Sequence, residues 1–191
     1  MQTPAVVRKG LSCLLALLLL LALAGSADAR TPHRPRKFPP PPDIPYTDGE
    51  INTITNIVDG EVGGIFGIVS VTYADGSTQT ADGSLLRMIH ACVVHNQVQS
   101  SLFPDTVRGC AIRYWSSAYA GTGWRSSKQW QSCREDVVFA MRGLVDVPDN
   151  VFAATCDPYF ARRYPSYRLW AKVRWNTGWV SGTFYYYAYA P

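Results

Sequence analysis

The sequence predicts a mainly helical α+β domain built from an amphipathic helix, a β-hairpin and a buried central helix. Three patterns support this prediction. Apolar residues recur at helical spacing after residue 47, strand-like segments flank an Asp-Gly turn at residues 75–76, and a dense apolar run follows residue 84. A period near 3.6 residues is typical of a helix, and two strand-like runs around a tight turn are typical of a hairpin.

The first helix begins at a capping box. Thr47 and Glu50 stand three positions apart, so the Thr47 hydroxyl can accept from the Glu50 amide while the Glu50 carboxylate reaches back. The apolar residues that follow share one stripe of the helix: Ile51, Ile54, Ile57 and Val58. Gly63-Gly64 tolerates positive φ and predicts the end of the helix, which leaves Glu61 near its C-terminal rim.

The hairpin and the central helix come next. Residues 68–73 and 78–80 predict two strands joined by the Asp75-Gly76 turn. Ser84 is expected as the N-cap of a helix that continues toward Gln99. The apolar density of this helix is too high for a surface position, so we expect it at the centre of the domain.

The second half of the domain predicts further helices, a short buried segment at residues 151–156 and a closing hairpin at residues 173–189. One short helix is expected after Pro104, and another begins at Ser127. Aromatic rings lie between them on a Gly/Ser-rich stretch that reads as a loop. Rings on loops can stack on sugar faces, and Trp115 and Tyr119 are the two predicted contacts; structural packing is an equal alternative.

The chain begins with a signal peptide. Arg8 and Lys9 precede an apolar run from Leu11 to Ala24, and an A-x-A cleavage site ends at Ala29. The run is shorter than the ~20 residues of a membrane-spanning helix. A retained anchor is the alternative interpretation. Cleavage after Ala29 predicts an exported protein without an integral membrane segment.

A basic, proline-rich linker separates the signal peptide, residues 1–29, from the domain. Residues 30–45 contain seven prolines and predict an extended, partly polyproline II segment. Its basic residues could attract an anionic surface, but a solvated spacer is the simpler interpretation. Residues 46–191 suit one compact domain.

Four cysteines remain after signal cleavage: Cys92, Cys110, Cys133 and Cys156. In an oxidising compartment they predict two disulfides, with three possible connectivities that the sequence does not separate. A zinc site is the alternative, but the chain has no C-x-x-C pair, and His90 and His95 lack zinc-finger spacing. No metal is expected.

Three motifs occur in an order that resembles a known family. They are Gly60-Glu61-Val62, the segment Val93 to Val98, and Phe103-Pro104-Asp105-Thr106-Val107 followed by Gly109-Cys110. They are similar to the catalytic glutamate motif, the Val-x-x-Asn-Arg-Val helix and the Phe-Pro-Asn/Asp-Thr turn of the SleB-like (spore-cortex-lytic type) cell wall hydrolases. The similarity covers roughly residues 51–187. Gly63-Gly64 stands where the family commonly has a second acidic residue, and Gln97 replaces the arginine.

The resemblance implies a lysozyme-like fold and a secreted or cell-wall-associated lytic transglycosylase. Such an enzyme cleaves the MurNAc-GlcNAc β-1,4 bond of peptidoglycan or a related amino-sugar polymer, and Glu61 would act as acid and then base. The 6-hydroxyl of muramic acid closes a 1,6-anhydro ring, so no cofactor is needed. The family motifs also imply substrate contacts for Asn96 and Thr155. We expect a monomer that binds no nucleic acid.

The glutamates of the mature chain support Glu61 separately. Glu50 is committed to the helix cap, and Glu135 is expected on an exposed helix face. Glu61 lies among apolar residues, which favour its protonated form and suit a general acid. Asp75 and Asp82 each fit a turn, so a one-acid reaction suits the sequence better than a pair of carboxylates.

A second interpretation is a catalytically inactive secreted protein of the same fold that binds glycans or serves a structural role. The missing second acidic residue, Gln97 and the two predicted disulfides are compatible with it. A turbidity assay on a muralytic substrate separates the two interpretations.

Overall fold

The computed structural model of the chain describes residues 43–120 and 127–191, without the side chains of residues 119 and 120. The predicted signal peptide and most of the predicted linker lie outside these residues, and both remain predictions. Within the described ranges, no helix combines the length and the apolarity that crossing a membrane requires.

The described residues form six helices and one five-stranded sheet, which confirms the α+β prediction. In chain order the elements are α1 (Asp48–Val62), β1 (Ile68–Tyr73), β2 (Thr78–Asp82), α2 (Gly83–Gln99), α3 (Val107–Tyr114), α4 (Ser116–Ala120), α5 (Lys128–Met141), β3 (Val151–Thr155), α6 (Phe160–Arg163), β4 (Tyr167–Asn176) and β5 (Ser181–Tyr189). The predicted order of helix, hairpin and central helix is present as α1, β1–β2 and α2.

The two predicted hairpins and the short buried segment belong to one antiparallel sheet of order β2-β1-β4-β5-β3. Val71 lies opposite Val173, and Val173 lies opposite Phe184, so these three side chains share one face. That inner face is apolar and buried: Val69, Val71, Ala171, Val173, Phe184 and Tyr186. Because side chains alternate along a strand, the outer face is polar: Ser70, Thr72, Lys172 and Arg174.

Helix α1 begins as predicted. The Thr47 amide donates to Glu50 Oε2 over 2.9 Å, and the Glu50 amide donates to Thr47 Oγ1 over 3.3 Å. These bonds from Thr47 lower the pKa of Glu50. The helix ends at Val62, but Gly63 keeps a helical φ of −60°, and positive φ occurs only later, at Gly67.

Helix α2 is the buried central helix, with one difference at its start. Asp82 rather than Ser84 is the N-cap: its carboxylate accepts from the Ser84 amide over 2.8 Å. The Ser84 hydroxyl instead donates to buried Asp136 on α5. A Cβ at Gly83 would overlap the Ile65 carbonyl oxygen, so this first residue of the helix is required to be glycine.

The prediction of two disulfides is wrong, because all four described cysteines are free thiols. The Cys110 thiol donates to the Pro104 carbonyl, and the Cys133 thiol donates to Asp59 Oδ1. Burial raises the pKa of Cys92 and of Cys133 to about 12. An even number of cysteines and an oxidising compartment make disulfides possible, but they do not bring two thiols together. Here each thiol lies on a different part of the fold.

Candidate active site

Glu61 lies at a cleft of about 310 Å³ that opens between the end of α1 and the β4–β5 hairpin. The last turn of α1 and the loop that follows form one wall, and the inner face of the sheet forms the other. The lining residues are Asp59, Gly60, Glu61, Val62, Gly63, Gly64, Ile65, Trp175, Thr177, Val180 and Phe184. Because α1 ends at Val62, the Glu61 carboxylate lies at the rim of this cleft, opposite Trp175 and Phe184.

The Glu61 carboxylate is half-buried, and its burial raises its pKa. Within the described ranges it makes no hydrogen bond or ion pair that would favour the charged form. Desolvation therefore acts alone on this group, which is the condition under which a carboxylic acid keeps its proton at higher pH. A side chain in this state can donate a proton to a bound molecule.

Residues on the sheet come close enough to interact with Glu61 electrostatically. Burial is the main cause that raises the pKa of Tyr186 and of Cys156, and the charge of Glu61 adds to both shifts. The Tyr186 hydroxyl lies 2.5 Å from Nδ1 of His90. His90 is fully buried beside Phe184, and burial lowers its pKa to about 4, so it is neutral near neutral pH. A packed, uncharged layer therefore supports the floor of the cleft.

A second carboxylate, Asp59, also lines the cleft, but it is engaged elsewhere. Its Oδ1 accepts from Gln129 Nε2 over 2.6 Å and from the Cys133 thiol over 3.7 Å. Residues two positions apart on a helix are separated by about 200° around its axis, so Asp59 and Glu61 point in different directions. Among the described residues, Glu61 is thus the acid that the cleft leaves available.

Asp75, Asp82 and Asp136 have structural roles. Asp75 accepts from the Ser77 amide and hydroxyl in the hairpin turn, as predicted, and Asp82 caps α2. Asp136 is buried and paired with Arg87, whereas its neighbour Glu135 is exposed as predicted. None of these carboxylates lines the cleft.

Trp115 does not line the cleft, and its surroundings match the alternative of structural packing rather than the predicted ligand contact. Its side chain is 6% exposed, and its indole N–H donates to Gln97 Oε1 over 2.8 Å. A ring enclosed in this way has no face available for a sugar. The Gly/Ser-rich texture predicts a loop, yet helices α3 and α4 place this ring in the core. The Tyr119 side chain lies outside the described residues.

Asn96 does not line the cleft either, and its side chain bonds within the fold. Its amide donates to the carbonyls of Pro148 and Val151 over 2.8 and 3.1 Å, and Gln97 donates to the Phe152 carbonyl over 2.7 Å. Both side chains are buried and fasten β3 to the central helix. The motif that suggested a substrate contact therefore serves to join α2 to the sheet.

Thr155 lies on the wrong side of the sheet for a contact in this cleft. It pairs with Tyr185 and shares that residue's face, whereas Phe184 and Tyr186 face inward. Its hydroxyl accepts from the Asp157 amide over 3.1 Å. The sequence does not identify Trp175 or the hairpin residues Thr177 and Val180 as lining residues. Alternation of side chains shows that a strand has two faces, but it does not show which strand lies beside Glu61.

A second concavity of about 430 Å³ lies on the outer face of the sheet, at the same end of β4 and β5. Arg174 is its charged residue, and no carboxylate lines it. It therefore does not offer the acid that the Glu61 cleft offers. Among the described residues, no group of three His, Cys, Asp or Glu side chains could hold a metal ion.

No protein-family model and no curated protein sequence matches the chain. Solved structures do match. The catalytic domain of the SleB protein of Bacillus cereus aligns with a TM-score of 0.50 and 18% identity, over 78% of this chain and 98% of that one. The catalytic domain of the germination-specific lytic transglycosylase SleB from Bacillus anthracis aligns with a TM-score of 0.48 and 18% identity, over 75% and 98%. The predicted SleB-like, lysozyme-like fold is confirmed, and at this identity the likeness concerns the fold.

Proposed function

We propose that the chain is a secreted or cell-wall-associated glycosidase that cleaves the MurNAc-GlcNAc β-1,4 bond of peptidoglycan as a lytic transglycosylase. Glu61 is its general acid and then its base. The observation that carries this proposal is a half-buried carboxylate with a raised pKa and without a described partner, at the rim of an open cleft. The SleB-like fold, with its helix end facing a sheet, supports the same assignment.

The reaction needs one proton donor and one proton acceptor, used in sequence. Protonated Glu61 donates its proton to the glycosidic oxygen, and the C1–O4 bond breaks as the GlcNAc hydroxyl leaves. The Glu61 carboxylate then accepts the proton of the muramic acid 6-hydroxyl, whose oxygen forms the new bond to C1. The product carries a 1,6-anhydro ring, and Glu61 ends the cycle protonated.

The walls of the cleft supply the environment that this cycle requires. Phe184 is buried, and Trp175 is partly buried above Gly182, so aromatic surface lines the cleft beside the half-buried carboxylate. An apolar setting raises the pKa of an acid toward the pH at which it must be protonated. Because Asp59 is held by Gln129 and Cys133, a one-acid cycle fits the cleft better than a pair of carboxylates.

Wall clearing by the mature chain, residues 30–191, tests this proposal. Suspended peptidoglycan should lose turbidity with the wild type. The Glu61→Gln variant should clear it more slowly by about 10²-fold or more, because general acid–base catalysis typically contributes 10²–10⁴-fold. Glu135→Gln is the matched control, since Glu135 is an exposed glutamate outside the cleft; it should clear at the wild-type rate.

Two results would contradict the proposal. Clearing by Glu61→Gln at the wild-type rate would show that another group carries the chemistry. Binding of the wild type to peptidoglycan without any loss of turbidity would favour the inactive glycan-binding protein.

A further inference from the structure

The tip of the β4–β5 hairpin carries a tryptophan that the fold does not use. Trp179 is 96% exposed, whereas Trp115 and Trp130 are buried, and Trp170 and Trp175 are partly buried. Large apolar side chains stabilise a fold by leaving water, so an indole surrounded by water gives up that contribution. A side chain kept in this position is suited to a partner that covers it.

The tip is a closed turn rather than a loose loop. The Thr177 amide donates to the Val180 carbonyl over 2.9 Å, and the Val180 amide donates to the Thr177 hydroxyl over 3.2 Å. The Gly178 amide donates to Asn176 Oδ1 over 2.7 Å, with a φ of +87° that favours glycine. These bonds fix the backbone on both sides of Trp179, which lowers the entropy lost when a ligand binds there.

The same turn forms part of the Glu61 cleft. Thr177 and Val180, on either side of the Gly178-Trp179 pair, both line the cleft together with Glu61. The backbone of Trp179 therefore lies beside the mouth of the cleft. A linear polysaccharide is longer than this groove, so a strand bound at Glu61 must leave across its rim.

We infer that Trp179 is a sugar-stacking residue that holds the glycan strand where it leaves the Glu61 cleft. This inference rests on the proposed function and adds a substrate contact to it. Pyranose rings present apolar C–H faces, and the negative face of an indole attracts their weakly positive hydrogens. Hydroxyl and amide groups at the sugar edge would meet the polar rim of the turn.

The surroundings of Trp179 favour a glycan over a lipid bilayer. Asn176, Gly178 and Ser181 flank Trp179 in the hairpin turn, and all three are exposed; the adjacent Val180 is 61% exposed. Segments that bind a bilayer surface combine a broad apolar face with clustered lysine and arginine. One indole and one valine side chain are smaller than such a face. The polar groups beside them match the polar edges of a sugar.

Binding measured in the Glu61→Gln background tests this inference without requiring cleavage. The ligands are insoluble peptidoglycan, measured by co-sedimentation, and a soluble β-1,4-linked N-acetylglucosamine oligomer, measured by calorimetry. Trp179→Ala should weaken binding about 10-fold, which is the effect of losing one stacking contact, and Trp179→Phe should restore part of it. Leu144→Ala is the matched control, because Leu144 is a 64% exposed apolar residue that lines neither concavity; it should bind like its parent.

A second measurement separates a contact with substrate from an effect on folding. In the active background, Trp179→Ala should raise KM and leave kcat within about two-fold, with an unchanged melting temperature, because the ring touches substrate away from the reacting atoms. Binding that depends on Trp179 in a protein whose wild type does not cleave would support this inference and overturn the proposed function.

Three results would overturn the inference itself. One is unchanged glycan affinity in Trp179→Ala. Another is no glycan binding by the Glu61→Gln parent. The third concerns vesicles of phosphatidylglycerol and phosphatidylethanolamine. If Trp179→Ala keeps its glycan binding but loses binding to these vesicles, the ring belongs to a membrane-binding surface.

Discussion

Replacing Asp136 by alanine should remove a large part of the stability of the domain, because Asp136 joins three elements at a buried point. Its carboxylate accepts from Arg87 Nε over 2.5 Å and from the Ser84 hydroxyl. Arg87 Nη1 in turn donates to the Ile65 carbonyl over 3.0 Å. Helices α5 and α2 and the loop that lines the Glu61 cleft are thus held through one carboxylate.

The size of the effect follows from the burial of the pair. The side chains of Arg87 and Asp136 are 7% and 8% exposed, so Asp136→Ala leaves a buried guanidinium without its counter-charge. Breaking a buried ion pair in this way costs about 3–5 kcal/mol. Natural domains have a free energy of unfolding of about 5–15 kcal/mol, so the loss is about a fifth or more of the total. At about 3 °C per kcal/mol, the melting temperature should fall by about 10–15 °C.

Urea unfolding followed by tryptophan fluorescence measures this loss as a lower midpoint at an unchanged slope. Glu135→Ala is the matched control, since it removes the neighbouring but exposed carboxylate and should change stability by less than about 0.5 kcal/mol. The double variant Arg87→Met, Asp136→Leu should recover most of the loss, because it removes both charges. A loss below about 1 kcal/mol in Asp136→Ala would refute the reasoning.

Three further predictions concern the cleft and the thiols. Gly60→Ala should lower the melting temperature, because a Cβ would lie 2.9–3.0 Å from Ala118 backbone atoms; Gly64→Ala, with no atom within 4 Å, should leave it nearly unchanged. Iodoacetamide should label Cys156 in the native protein and all four mature-chain cysteines after unfolding without reductant, and fewer than four would indicate a disulfide. Glu61→Gln should become more stable than the wild type as pH rises. Burial raises the folded-state pKa of Glu61 above its unfolded value of 4.5, so the folded wild type holds a proton that the unfolded chain has lost. The stability of the wild type therefore falls as pH rises from the unfolded to the folded pKa, and the glutamine variant does not share this loss. Equal melting temperatures at about pH 4 and a growing difference toward pH 7 are expected.

Local signals explain why the first half of the fold could be predicted. A capping box needs only two residues three positions apart, and the stripe of α1 repeats within one helix. The capping box is therefore found as predicted at Thr47 and Glu50, and the apolar stripe is buried as predicted. The predicted N-cap of α2, Ser84, differs from the observed one, Asp82, because both are good capping residues. The choice between them depends on Asp136, which is distant in sequence and accepts from the Ser84 hydroxyl.

The other wall of the cleft depends on pairings that no local pattern contains. Val69 lies opposite Trp175, and Trp175 lies opposite Gly182, more than a hundred residues from the first of these strands. Alternation predicts two faces for each strand, but the register between strands decides which aromatic residue reaches Glu61. For the same reason the local sequence around Trp115 predicts a ligand contact, whereas its bond to Gln97 places the ring in the core.

The ends of the glycan products test the central claim most directly. Purified peptidoglycan is digested with the mature chain, and the released muropeptides are analysed by mass spectrometry. If Glu61 acts alone as acid and then base, wild-type products carry 1,6-anhydro-muramic acid ends, Glu135→Gln gives the same products, and Glu61→Gln gives none. Anhydro products from Glu61→Gln in wild-type yield, or reducing ends only from the wild type, would contradict the account.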